Sequence, residues 1–172
     1  MGFAVIIMGS KSDWQVVKEC VVVLERFEIP YEVYISSAHR SAERTIEIVK
    51  DCDSRGAKVF VGAAGMAAHL AGSIAAHTLK PVVAVALPGG MLDGLDSLLS
   101  SVQMPKGMPV ATMSVGKAGA INAGYFVAQI FALLPQYKHV LESLKNEKST
   151  TSQQLIEDTK EIRKIIDCEM KG

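Results

Sequence analysis

The chain has 172 residues, 49% hydrophobic and 21% charged, with 18 Lys and Arg balancing 18 Asp and Glu. That length suits one domain with a sizeable core, and the composition is that of a globular chain, not a disordered one. Zero net charge argues against a nucleic-acid or anionic-membrane partner held by bulk electrostatics. The charges are unevenly spread: five in the 76 residues 59–134, and thirteen in the 30 residues 142–171. So long a charge-poor stretch is hard to cover in a monomer, and it predicts burial between subunits.

Residues 3–8 (FAVIIM) form a short, continuously apolar run that ends in a Gly-Ser turn, as expected of a strand buried on both faces of a parallel sheet. Asp13 is then a candidate N-cap for a helix over 14–27, with Val17, Cys20, Val21 and Leu24 at helical spacing. Pro30 stops it, and 31–35 alternates like a second strand. A second helix over 42–54 ends at Arg55-Gly56. The third strand is expected at 59–61, followed by small residues from 62 to 72 and a nearly charge-free helix over 67–78, predicted to be covered all round. Strands four and five fall at 81–86 and 110–115 and are separated by a long loop, 87–109, containing three prolines and four glycines. A helix over 118–133 closes the core. Beyond Pro135 the pattern predicts a short polar helix (136–147), a linker (148–152) and an amphipathic helix (153–169).

Alternating strands and helices define an α/β fold: a flavodoxin-like, three-layer parallel sheet of about five strands with helices on both faces. Residues 1–134 are expected to form the α/β domain, and 135–172 a helical extension packed on the core or on a neighbouring subunit. Ligands of such sheets bind outside the carboxyl ends of the strands, where strand order reverses. The turns after strands one to four all fall on that edge. The three cysteines form no CxxC pair and read as reduced thiols. No apolar run reaches the ~18–20 residues of a membrane span, and no basic lead-in precedes the first strand. The expected location is the cytoplasm.

The first turn, Gly9-Ser10-Lys11-Ser12-Asp13, offers hydroxyls and backbone N–H groups to an anion at a helix N-terminus, although Ser12 or Asp13 could equally serve only as a cap. It has neither Walker nor GxGxxG spacing, which disfavours a nucleoside triphosphate or dinucleotide. In the second turn, Ser37-Ala38-His39-Arg40, an imidazole suited to proton transfer near neutral pH stands beside a guanidinium fork suited to phosphate or carboxylate. A solvated loop histidine is the competing reading. The third turn, 62–70, is built of small residues that admit either a ligand or a close helix, and His69 reads equally as ligand contact or core histidine. The four histidines lack metal-site spacing.

The ordered motifs GSKSDW (9–14), SAHR (37–40), AGMAAHLAG (64–72), DSLLSSVQMPKGMPVAT (96–112) and GKAGAINAG (116–124) resemble the N5-carboxyaminoimidazole ribonucleotide mutase family of purine biosynthesis. The resemblance implies an enzyme that needs no metal or organic cofactor and moves a carboxyl group from the exocyclic nitrogen of its ribonucleotide substrate to ring carbon four. His39 matches the family's general acid/base. Ser10, Ser12 and Arg40 would hold the phosphate, and Asp13 the ribose. Ser37, Ala38, Gly65, Ala68, His69 and Leu70 would surround the base and the migrating carboxyl. Family members assemble as homo-octamers, which gives the charge-poor stretch copies of itself as a partner.

The chain departs from the family pattern at Ala63, where many members have glycine, and at 86–90 (ALPGG), which borders the site. The nearest alternative is the direct carboxylase of aminoimidazole ribonucleotide with carbon dioxide. Those members tend to have lysine after the second-motif histidine and a different third motif, whereas Arg40 and Met66-Ala67-Ala68-His69 follow the mutase. A non-catalytic flavodoxin-like binding module is more remote. No acidic cluster follows strand one to hold magnesium, and aromatics, at 6%, offer few surfaces for a flavin.

Overall fold

The computed structural model describes residues 2–170; position 1 and positions 171 and 172 of the expected extension lie outside the described residues. β1 (Phe3–Met8) is buried over its whole length. β2 (Tyr31–Ile35) pairs on one side of it and β3 (Ala57–Gly65) on the other. β4 (Val82–Leu87) and β5 (Ala111–Val115) follow, giving an all-parallel sheet in the order β2-β1-β3-β4-β5. This is the flavodoxin-like winding expected from the sequence.

Side chains alternate across the sheet. Ala4, Ile6 and Met8 join one core with Val17 and Leu24 of α1 (Trp14–Arg26) and Val127 and Phe131 of α5 (Gly116–Ala132). Phe3, Val5 and Ile7 join the other with Ile48 and Val49 of α2 (Ala42–Ser54) and Leu70 and Ile74 of α3 (Leu70–Ala75). Each large side chain fully buried this way contributes about 1.5–3 kcal/mol. Two glycines permit the closest approaches. A Cβ on Gly62 would lie 2.9 Å from the Ala71 Cα, so α3 seats directly on β3; one on Gly124 would lie 2.6 Å from the Val23 Cβ, where α5 meets α1. Cys20 and Cys52 are buried, and desolvation pushes the Cys20 thiol up to about 12, as expected of an unreactive thiol.

Several elements differ from the sequence reading. The expected loop 87–109 contains a helix, α4 (Leu95–Val102), that starts after Gly94 in the left-handed region at φ 95°. β3 runs on to Gly65, because residues 62–65 continue the parallel pairing with β4. α3 is shorter than expected; Leu70, Ala71 and Ile74 are buried and the rest of the helix is half-buried. Asp13 is no ordinary N-cap: its carboxylate reaches back to the Ser10 N–H, while Ser10 caps a single 3-10 turn, Lys11–Asp13, that leads into α1. The tail is one helix, α6 (Lys138–Met170), with no linker. Its serines and threonines do not break it, because hydroxyls bond back to carbonyls one turn earlier: Thr150 to Asn146 at 3.0 Å, Thr151 to Glu147 at 2.9 Å.

α6 is tied down at its start by the Tyr137 hydroxyl on the Gly2 carbonyl (2.7 Å) and one turn later by buried Val140. Arg26 of α1 holds Glu147 at 2.6 Å. Among the described residues no single helix is long and apolar enough to cross a membrane; the one bent pair that passes by length and composition joins α5, largely buried in the core, to the segment beginning at Pro135.

β2, one of the two edge strands, carries a charged fork. Arg55 places both terminal nitrogens 2.7 Å from the two carboxylate oxygens of Glu32 on β2, and its guanidinium lies over the Phe3 ring. This fork, with a hydrogen bond from the Tyr34 hydroxyl, holds the Glu32 carboxyl down to about 2 from an ordinary 4.5. A carboxyl depressed on folding adds stability that is complete above its unfolded value and lost as pH falls through the folded one. Thermal melts between pH 4.5 and 2 will therefore show a steeper loss of Tm for wild type than for Glu32→Gln; parallel curves would remove the pair from the stability of this edge.

Candidate active site

Four turns at the carboxyl edge of the sheet enclose a cavity of about 530 Å³, within the usual range of small-molecule sites. The sequence folds them there because the strand ends are pinned to one another. Gly9 N–H bonds the Ala63 carbonyl at 3.2 Å and Ser36 N–H bonds the Met8 carbonyl at 3.0 Å. Buried Ser36 also shares a hydroxyl bond of 2.8 Å with Thr45 of α2.

The first turn spends its own donors. Ser10 N–H goes to Asp13 Oδ2 at 2.8 Å, Ser12 N–H to Ser10 Oγ at 3.4 Å and Asp13 N–H to the Ser10 carbonyl at 3.2 Å. An anion here is therefore met chiefly by the hydroxyls of Ser10 and Ser12, themselves 3.0 Å apart. Burial raises the Asp13 carboxyl above its ordinary range, against the lowering pull of the Ser10 N–H, the Ser12 side chain and the Arg40 charge. Arg40 crosses from the second turn and donates to the Gly9 carbonyl at 2.7 Å, while its N–H rests on Ser37 Oγ at 3.2 Å. One guanidinium thus ties two turns together and brings positive charge to the hydroxyl pair.

The third turn places His69 against His39. Their rings meet edge to face at 83°, with His39 Nε2 2.9 Å from His69 Nδ1. One of these nitrogens must donate and the other accept, so the accepting ring is neutral and the bonded pair carries at most one positive charge. Such a pair can hold one mobile proton and fix the tautomer of the ring that uses it. His69 is thus exposed and bonded, not a core histidine.

Nine candidates line the cavity: Ser10, Ser12, Asp13, Ser37, Ala38, His39, Arg40, Gly65 and Leu70. Ala68 is buried behind the wall, and His69 reaches the cavity only through His39. The lining also includes Gly9, Ala64, Met66 and Ala67, and Leu87 to Gly90 from the turn after β4, none of which the motifs singled out as site residues. Leu87 to Gly90 belong to the segment 86–90 that the sequence already placed beside the site. Met66 sits in the left-handed region at φ 55° and packs where a Cβ on Gly90 would come within 3.1 Å of its side chain. His77, away from the site, bonds the Ser73 carbonyl at 2.8 Å just beyond the end of α3. Among the described residues, no group of three or more His, Cys, Asp or Glu is placed to hold a metal ion.

A flavodoxin-like sheet with a cavity at its switch point, lined by serine hydroxyls, a guanidinium and an imidazole, defines an α/β protein with a polar small-molecule site. The sequence narrows this class to one family. The profile of AIR carboxylase matches residues 4–154, through all four turns, and the chain belongs to that family. It is 45% identical over 147 residues to the N5-carboxyaminoimidazole ribonucleotide mutase of Pseudomonas aeruginosa, covering 85% of this chain and 90% of that one. The Bacillus subtilis protein of the same name is 43% identical over 157 residues, 91% and 96% of the two chains. The fold is similar to that of Treponema denticola PurE, with a TM-score of 0.83 at 28% identity, covering 94% of this chain and 98% of the other.

Proposed function

We propose that this chain converts N5-carboxyaminoimidazole ribonucleotide to 4-carboxyaminoimidazole ribonucleotide in purine biosynthesis. The observation that carries the reading is the identity to relatives of that name over nearly the whole chain, through every turn of the cavity.

The chemistry needs one proton given and one taken. Breaking the bond between the exocyclic nitrogen and the carboxyl carbon releases carbon dioxide, and the nitrogen takes a proton from His39. Ring carbon four then attacks the retained carbon dioxide, and the proton it loses returns to His39, so the enzyme ends as it began. With His39 protonated, His69 accepts from its Nε2–H, which leaves Nδ1 as the position that exchanges the proton. The small residues Ala38, Ala64, Gly65 and Ala67 let walls close around the intermediate.

In this reading Ser10, Ser12 and Arg40 bind the phosphate, and Asp13 binds the ribose. Ser37, Ala38, Gly65, Ala68, His69 and Leu70 surround the base and carboxyl. No step calls for a metal or organic cofactor. Residues 1–134 form the catalytic unit and 135–172 an outer extension. Copies assemble into a homo-octamer in the cytoplasm, and exposed Met91, Leu92, Leu95, Leu99 and Val102 of the charge-poor stretch favour burial between subunits. A monomer by sedimentation would overturn the assembly.

The deciding assay offers the protein the N-carboxylated nucleotide, or aminoimidazole ribonucleotide with low bicarbonate. Product from the first alone supports the mutase; product from the second alone assigns direct carboxylation. His39→Asn will lower kcat by at least about a hundredfold, the usual contribution of a positioned acid/base, while the ligand still binds by calorimetry; wild-type turnover in that variant removes His39 from the mechanism. Arg40→Ala will weaken the phosphorylated nucleotide about tenfold or more, the worth of a charge-assisted bond. It will leave the dephosphorylated riboside unaffected, and an equal loss for both would refute the phosphate assignment.

A further inference from the structure

α4 belongs to a motif that supplied none of the candidate site residues, yet it is fastened to the site from three sides. Ser97 Oγ lies 2.8 Å from the Leu87 carbonyl oxygen at the end of β4. The Ser101 carbonyl accepts the Thr112 hydroxyl of β5 at 3.1 Å. These bonds fix the helix to two strands. Ser100 points to the third turn instead: its Oγ accepts the Ala68 N–H at 3.0 Å and donates to the Asp96 carbonyl at 2.7 Å, with the Met66 carbonyl oxygen 3.3 Å away.

That N–H sits at a sensitive point. Ala68 is buried, so without Ser100 its amide would lose this partner. Two residues earlier Met66 holds φ 55°, a conformation that persists only where its surroundings hold it. One residue later His69, its N–H turned onto the Ala67 carbonyl at 2.9 Å, presents Nδ1 to His39. The peptide held by Ser100 is therefore the one from which His69 is aimed.

We propose that Ser100 is a positioning residue for the His39–His69 pair, carrying the rigidity of α4 through the Ala68 amide to the imidazole contact. The proposal rests on the function given above for the effect on turnover, but the contact itself can be read without substrate.

The test compares Ser100→Ala, Ser100→Cys and Ser100→Thr in the full chain. Misplacing a reacting group costs rate more than binding, so Ser100→Ala will lower kcat on the N-carboxylated nucleotide about tenfold, with KM and Tm little changed. Ser100→Thr keeps the hydroxyl and will restore most of kcat; Ser100→Cys, a weaker acceptor, will fall between and serves if the alanine variant does not fold. In the ligand-free protein, imidazole 15N shifts will show fixed tautomers at His39 and His69 in wild type and in Ser100→Thr, and averaged ones in Ser100→Ala or Ser100→Cys. Unchanged kcat and shifts in the alanine and cysteine variants, or an equal loss in the threonine variant, overturns the proposal. A wild-type chain inactive on the nucleotide sinks the function reading instead, and the 15N comparison still decides the role of Ser100.

Discussion

The site exists because chain winding reverses at β1. Strand–helix–strand crossovers in a parallel sheet are right-handed, so stepping from β1 outward to β2 puts α1 on one face. Stepping back across β1 to β3, and onward to β4, puts α2 and α3 on the other. The turns leaving β1 and β3 must therefore part in opposite directions, and the gap between them is the cavity. No residue in the site has to create that opening; it is a product of strand order and handedness.

What the side chains supply is closure and charge. The first turn folds the Ser10, Ser12 and Asp13 amides onto its own atoms and presents hydroxyls, and Arg40 bridges it to the second turn. The third turn, with little side-chain bulk of its own, takes its shape from outside. Gly62 lets α3 sit close below it, and Ser100 meets its amide from the side. Rigid elements thus hold a region whose small residues could not hold themselves, an arrangement suited to a pocket that must be both tight and exact in shape.

Much of this was legible in the residues. An unbroken apolar run such as 3–8 reads as a strand covered on both faces, and the turn residues after each strand marked one sheet edge. α4 escaped because its leucines lie in a segment rich in Gly and Pro, although Leu95, Leu99 and Val102 keep helical spacing. The continuity of α6 escaped because the run 148–152 is rich in Ser and Thr, which weaken a helix on average, although the Thr150 and Thr151 hydroxyls stay within it on carbonyls one turn back. The reversed role of Asp13 and the meeting of His39 with His69, thirty residues apart, depend on three-dimensional placement that no local pattern encodes.

The two-sided burial of β1 also governs which changes of length the chain can accept. In a strand with one wet face, a one-residue slip is punished by polarity, since core residues turn to water. Here both faces are apolar, so a slip exchanges Ala4, Ile6 and Met8 for Phe3, Val5 and Ile7 without exposing either set. Register is then held by shape, the small Ala4 being traded for the bulk of Phe3, and by the Gly9 amide on Ala63. Volume-preserving substitutions are absorbed by such a strand, whereas an insertion or deletion of a single residue within 3–8 misfits both cores at once and moves the first turn of the cavity with them.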